Sequence, residues 1–185
     1  VKTAIAIDPS VANTGYCRGP VDGSGPLVID SFGIDKAFSG DVGEQLFDFD
    51  KKMAPRLTGV DLIFFEKPIR PFGKMANLNI LRPLYSISGH IEFMARQRGI
   101  KCFEVDNGKH KKLIYGKGGT KPQNTVELAG AWGFECKNAD EADACGIWLY
   151  SIQKVYEEFF PQYLKTKEAS PIVPFIPKPK KKKSK

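Results

Sequence analysis

No stretch of this sequence approaches the roughly 18 consecutive apolar residues that a membrane-spanning helix requires, so a helical membrane protein is not expected. The opening VKTAIAIDPS breaks at an acid after a few apolar residues and lacks the long apolar segment of a secretory signal. Cysteine is sparse: Cys17, Cys102, Cys136 and Cys145 form no C-x-x-C pair and no Cys/His cluster, which argues against a structural zinc site. All four lie in apolar or aromatic surroundings, and a chain of 185 residues does not need disulfide staples. Buried free thiols in a reducing compartment are expected, and with them a soluble, intracellular protein. No internal repeat or second domain is visible, and 185 residues correspond to about one domain. The 42% hydrophobic and 26% charged content is that of an ordinary soluble domain, which excludes wholesale disorder.

The net charge of +7 is unevenly spread. Six lysines and no acid follow residue 169, leaving the preceding body with 22 basic against 21 acidic groups. Within that body, residues 1–50 hold three basic and eight acidic groups. Residues 67–82 carry Lys67, Arg70, Lys74 and Arg82 with no acid, and residues 101–122 carry six lysines against Glu104 and Asp106. Two basic segments flanking an acidic framework suit a protein that grips phosphates at chosen places. The tail SPIVPFIPKPKKKKSK is too rich in proline for a helix and too charged to pack. The expected organisation is thus a folded unit over 1–164 and a disordered basic tail over 165–185. That tail either adds nonspecific DNA affinity or aids solubility.

Residues 2–8 alternate and are branched, predicting a strand that ends at Asp8. Residues 14–18 and 27–34 are two further short strands separated by turn residues, as in a meander. Leu46, Phe49, Met53 and Leu57 at helical spacing predict a helix over 42–57. The apolar run VDLIFFE predicts a buried central strand ending at Glu66, stopped by Lys67 and Pro68. An amphipathic helix is expected over 77–98, with Pro83 and Gly89 as points of kinking. A fifth strand over 100–105 and helices over 121–133 and 139–160 complete the order. The expected fold is α/β: a mixed five-stranded sheet, three antiparallel strands and then parallel additions, flanked by helices.

Asp8 and Glu66 each end an apolar strand, and parallel neighbouring strands would bring both carboxylates to one sheet edge. In NADEADACGIWLY, Asn138 suits a helix cap and Glu141 the position that reaches back to it. Asp140 and Asp143 then share one face of the first turn, beside an apolar stripe of Ile147, Trp148 and Ile152 that would carry them toward the sheet. Four converging carboxylates repel unless a cation neutralises them. Hard oxygen ligands select Mg2+ or Mn2+, and two such ions are the arrangement for in-line displacement at phosphorus. With basic segments alongside, the residues read as a metal-dependent phosphodiesterase acting on nucleic acid.

The segments AIDPSVANTGY, FFEKP and NADEADACGIW, in this order and spacing, resemble the RuvC-type Holliday junction resolvases of the RNase H-like superfamily. That family shows I-D-P-G-x-x-x-T-G near its start, an apolar strand ending in Glu, and A-D-x-x-D-A opening its last helix. The resemblance covers roughly residues 1–160 and implies an RNase H-like fold, with Asp8, Glu66, Asp140 and Asp143 as catalytic ligands of two Mg2+ ions, replaceable by Mn2+. It further implies a homodimer whose two sites cut opposed strands of a four-way DNA junction symmetrically, leaving 5′-phosphate and 3′-hydroxyl ends. Ser10 stands where the family usually has Gly, and Pro68 and Pro71 reshape the loop after Glu66. In that loop Phe72 is the candidate to wedge into or stack on bases, its alternative being to anchor the loop. Arg70 and Lys74 are candidate DNA contacts beside it. In GKHKKLIYGKGGTKP, Lys111 matches the family's functional lysine, as a phosphate clamp or stabiliser of transition-state charge. Lys109, Lys112, Lys117 and Lys121 are candidate backbone contacts. His110 would serve as a proton shuttle or, as a lone histidine among lysines, be simply exposed, and the second is expected.

The divergent body and lysine tail look like those of a phage or viral member, which would act in the cytoplasm of a bacterial host. No membrane and no nucleotide cofactor are implied. A fork or flap endonuclease of the same superfamily would use the same acids, and a noncatalytic junction-binding protein would keep them only structurally. An actin-like phosphotransferase, suggested by the glycine-containing turn after Asp8, would need a second phosphate loop and a second domain for which the chain has no room.

Overall fold

Along residues 3–8 small and branched apolar side chains alternate, and in the computed structural model, which describes residues 1–68, 78–116 and 122–156, they form the central strand β1 (Thr3–Asp8). The chain doubles back through β2 (Thr14–Pro20) and β3 (Val28–Phe32), each antiparallel to its predecessor. Helix α1 (Val42–Met53) starts where the Asp41 carboxylate accepts from the Glu44 N–H at 3.1 Å. The predicted helix over 42–57 ends its α-helical part at Met53, and Ala54–Leu57, with Pro55 in its first turn, winds as a 3-10 turn. Strand β4 (Leu62–Glu66) lies parallel to β1, and β5 (Lys101–Val105) parallel to β4. Helix α2 (Leu78–Gln97) joins them, running as one helix through Pro83. The sheet order is β3-β2-β1-β4-β5, the mixed five-stranded arrangement expected from sequence.

A helix over the lysine-rich segment was not expected, yet Asn107–Tyr115 forms α3. Asp106 caps its start by accepting from the Gly108 N–H at 3.0 Å, and Gly116 ends it at φ 74°. That left-handed conformation is one a glycine adopts without steric penalty. Helix α4 (Pro122–Gly130) and helix α5 (Ala139–Tyr150) follow, the latter continuing as a π-helical turn over Ser151–Tyr156. The basic tail over 165–185 lies outside the described residues, as does the end of the helix predicted to reach residue 160.

Because strand side chains alternate, β1 and β4 serve two cores at once. Ile5, Ile7, Ile63 and Phe65 pack with Phe49, Met53, Ile87, Ile91 and Met94 under α1 and α2. Ala4, Ala6, Leu62 and Phe64 pack with Ile114, Ala144, Ile147 and Trp148 under α3 and α5. The same period of two sends Asp8 and Glu66, the next residues in the second set, toward α3 and α5. Cys17 and Cys145 are buried thiols as expected, whereas Cys102 and Cys136 are only partly buried; all four are free. No described helix is long and apolar enough to cross a membrane.

Candidate active site

Ile7 pairs with Phe65 in the parallel β1–β4 ladder, so Asp8 and Glu66 emerge side by side at the carboxyl edge of the sheet. The turn after Asp8 is closed by Thr14, whose hydroxyl donates to the Ser10 carbonyl at 2.7 Å and accepts from the Ser10 N–H at 3.1 Å. Next to it stands Gly15, where a Cβ would lie 2.1 Å from the Asp140 carbonyl oxygen. Only a residue without a side chain lets the first turn of α5 come this close to β2. That contact delivers Asp140 and Asp143 to the end of β1.

The start of α5 is held as a network. Asn138 accepts from the Glu141 N–H at 3.0 Å, the expected cap. Glu141 does not reach back to the Asn138 N–H as a capping box would; its carboxylate accepts from the Lys137 N–H at 2.7 Å. It also accepts from the Ser31 hydroxyl at 2.9 Å and the Asn138 amide at 3.1 Å, which ties the helix start to β3. Fully buried Glu141 is thereby committed to these structural bonds, leaving Asp140 and Asp143 for the site.

Of the five predicted catalytic residues, Lys111 bridges Glu66 and Asp143, with Asp8 and Asp140 beside them. Asp8 and Glu66 stand side by side at the ends of paired parallel strands, so their carboxyls raise one another's proton affinity. Burial, then the charges of Glu66 and Asp143, push Asp8 well above the usual carboxylate range, with Asp140 adding and Lys111 opposing. Glu66 is raised as well, chiefly by burial. The Lys111 ammonium bridges two acids, 3.2 Å from Asp143 Oδ2 and 3.6 Å from Glu66 Oε1. Burial opposes its charge, but Glu66 and Asp143 outweigh that and hold its pKa above the ordinary lysine value. Asp140 accepts from the Asn13 amide at 2.7 Å.

Sequence reasoning missed two groups. His110 is not exposed but has no accessible surface at all, with Nε2 3.4 Å from Glu66 Oε1 and its ring against Gly146. Burial, and next the Lys111 charge, lower its pKa to about 4, so the ring is neutral at pH 7. Tyr115 donates its hydroxyl to Asp143 Oδ1 at 2.6 Å. The signals for both were the bounding Asp106 and Gly116 of α3 and the spacing of four from Lys111 to Tyr115. Lys109 and Lys112 lie exposed on the same helix. Arg70, Phe72, Lys74, Lys117 and Lys121 lie outside the described residues.

Four carboxylates stand against one ammonium, and this crowding with burial holds the Asp8 and Glu66 carboxyls above their ordinary range. Glu66 Oε1 is buried without a hydrogen-bond partner. Among the described residues no three His, Cys, Asp or Glu side chains are already drawn onto one point, and the cation between Glu66 and Asp143 is Lys111. The all-oxygen donor set and the uncompensated charge nevertheless fit a hard divalent cation.

Neither a protein-family model nor a curated protein sequence matches the chain. Solved structures do. RuvC of Thermus thermophilus shares 16% identity at a TM-score of 0.62, covering 85% of this chain and 96% of its own. The T. thermophilus RuvC in complex with Holliday junction substrate shares 12% at 0.63, covering 86% and 97%. From β1 to α5 the chain therefore has the RuvC fold, the RNase H-like arrangement its strand ends and last helix led one to expect.

Proposed function

We propose that this protein is a divalent-metal-dependent endodeoxyribonuclease that resolves four-way DNA junctions as a homodimer, cutting symmetrically to leave 5′-phosphate and 3′-hydroxyl ends. The observation that carries this reading is the buried, under-neutralised carboxylate group of Asp8, Glu66 and Asp143 at the sheet edge of a RuvC fold, with Asp140 beside it. Those four acids would hold Mg2+, or Mn2+ in its place. A bound divalent ion supplies Lewis acidity for displacement at phosphorus. Lys111 holds Glu66 and Asp143 at bridging distance and brings the one cation of the cluster to where a phosphate would approach. His110, neutral and enclosed, excludes water from the inner side of Glu66.

Two surfaces support DNA binding and pairing. Across the β1–β2 turn from the acids, a groove of about 1050 Å³ runs between Ser10, the start of α1 and the start of α2. Its described lining holds Arg82 and no acid, which suits a phosphate backbone. On α2, Leu78, Tyr85 and Phe93 are 75%, 42% and 54% exposed along one face, and nothing stands within 4 Å of a Cβ placed at Gly89 between them. Such a stripe with a glycine at its centre suits close approach of the same helix from a second copy.

The decisive experiment is cleavage of a labelled immobile four-way junction beside a fork, a flap and a linear duplex, with and without Mg2+, by wild type and Asp8→Asn. Paired symmetric nicks that require both Mg2+ and Asp8 are expected. Preference for forks or flaps would move the substrate to other branched DNA, and tight binding without cleavage would refute the nuclease.

A further inference from the structure

Asp143 is gripped at both carboxylate oxygens by a single helix. Tyr115 donates to Oδ1 at 2.6 Å, and Lys111 Nζ lies 3.2 Å from Oδ2. Residues four apart on a helix present their side chains on one face, so the two contacts are made from successive turns of α3. Tyr115 is 7% exposed and packs into the core under α5, in one cluster with Ile114, Ala129, Phe134 and Ile147, which leaves its hydroxyl little freedom to move. At 2.6 Å the Tyr115–Asp143 bond is a short O–H···O hydrogen bond.

We infer that Tyr115 is a positioning residue for the metal site: by occupying Asp143 Oδ1, its hydroxyl fixes the carboxylate plane and turns Oδ2 toward Glu66 and Lys111, where a divalent cation would take it. This rests on the metal-dependent reading above. A purely structural hydroxyl would show its loss in stability alone, whereas a positioning hydroxyl shows it in affinity for the ion. Partners that orient a ligating carboxylate typically change metal affinity by about 10- to 100-fold when removed.

The test is Mn2+ binding to the full chain without DNA, followed by isothermal titration calorimetry, for wild type, Tyr115→Phe, Asp143→Asn and a chain with p-aminophenylalanine at position 115. Tyr115→Phe keeps the ring and its packing. It is expected to weaken Mn2+ binding by about 10- to 100-fold with an unchanged circular dichroism spectrum. The amino group restores a donor on the same ring and is expected to recover most of that loss. In junction cleavage kcat falls while the DNA Kd holds. Wild-type Mn2+ affinity in Tyr115→Phe, with Asp143→Asn impaired, would overturn the positioning role and leave the nuclease standing. Unaltered binding in Asp143→Asn, or none in wild type, would remove the metal site and this role together. Failure of Tyr115→Phe to fold while the amino variant folds and binds Mn2+ weakly would also overturn it.

Discussion

Asp8 is the residue on which folding and chemistry pull in opposite directions. Its carboxyl is enclosed at the end of a strand whose preceding residues are fully buried, among three further acids and one lysine. For an acid whose pKa is raised in the fold, the native state favours the protonated form. Its contribution to stability is therefore present at low pH and lost as pH rises through the raised value. Asp8→Asn removes the charge while keeping the shape. In metal-free buffer it should raise Tm, by about 2–4 °C for each kcal/mol regained, and the gain should be larger at pH 8 than at pH 5. Differential scanning fluorimetry in EDTA at the two pH values checks this, and a lower Tm at pH 8 would contradict it. The same variant should lose cleavage and retain junction affinity, because it removes a charge that repels phosphate.

At the scale of the element, the site is made by two helices that the strand ends alone do not specify. Helix α5 reaches the sheet because Gly15 has no side chain to stand in its way. Gly15→Ala would place a methyl 2.1 Å from the Asp140 backbone oxygen, and the helix must shift to admit it. Overpacking of this kind costs about 1–3 kcal/mol. Chemical denaturation should report that loss, and cleavage should fall sharply although every acid is intact; wild-type activity would show that α5 tolerates the displacement. Helix α3 was illegible as a helix because its lysines dominate the composition and its apolar face is short, only Leu113, Ile114 and Tyr115 meeting the core. Its cap residues were visible, but Asp106 and Gly116 read equally well as ordinary turn chemistry.

For the whole molecule, the proposed pairing of two copies and the basic tail would set how DNA is held. If the exposed face of α2 pairs two copies, Phe93→Glu should give a monomer by light scattering with Tm nearly unchanged, since Phe93 lies outside both cores. Cleavage should lose its symmetry, each nick becoming independent of the other. An unchanged dimer would move the interface elsewhere. The six lysines after residue 169 face no acid in their own segment. Deletion after Ser170 should flatten the salt dependence of junction binding without moving the cut sites, measured by titration between 50 and 200 mM salt; a folded but inactive truncation would refute a merely electrostatic tail.

The sequence by itself determined a mixed five-stranded sheet and singled out the four acids as candidates, because period-two alternation, strand-terminal carboxylates and i, i+3 spacing in a first helical turn are local patterns that survive without knowledge of neighbours. It also determined that Glu141 is structural, through its spacing from Asn138, though not that the carboxylate reaches Lys137 and Ser31 instead of the cap's own N–H. What only the tertiary structure decided is what surrounds the acids. His110 lies buried against Glu66, Tyr115 bonds Asp143, and Asn13 holds Asp140 across 127 positions of sequence. The physical reason is that burial and charge pairing depend on which helix packs over which strand end. Placing α3 and α5 over Asp8 and Glu66 turned a histidine among lysines into a neutral wall and an ordinary helix-end tyrosine into a hydrogen-bond donor.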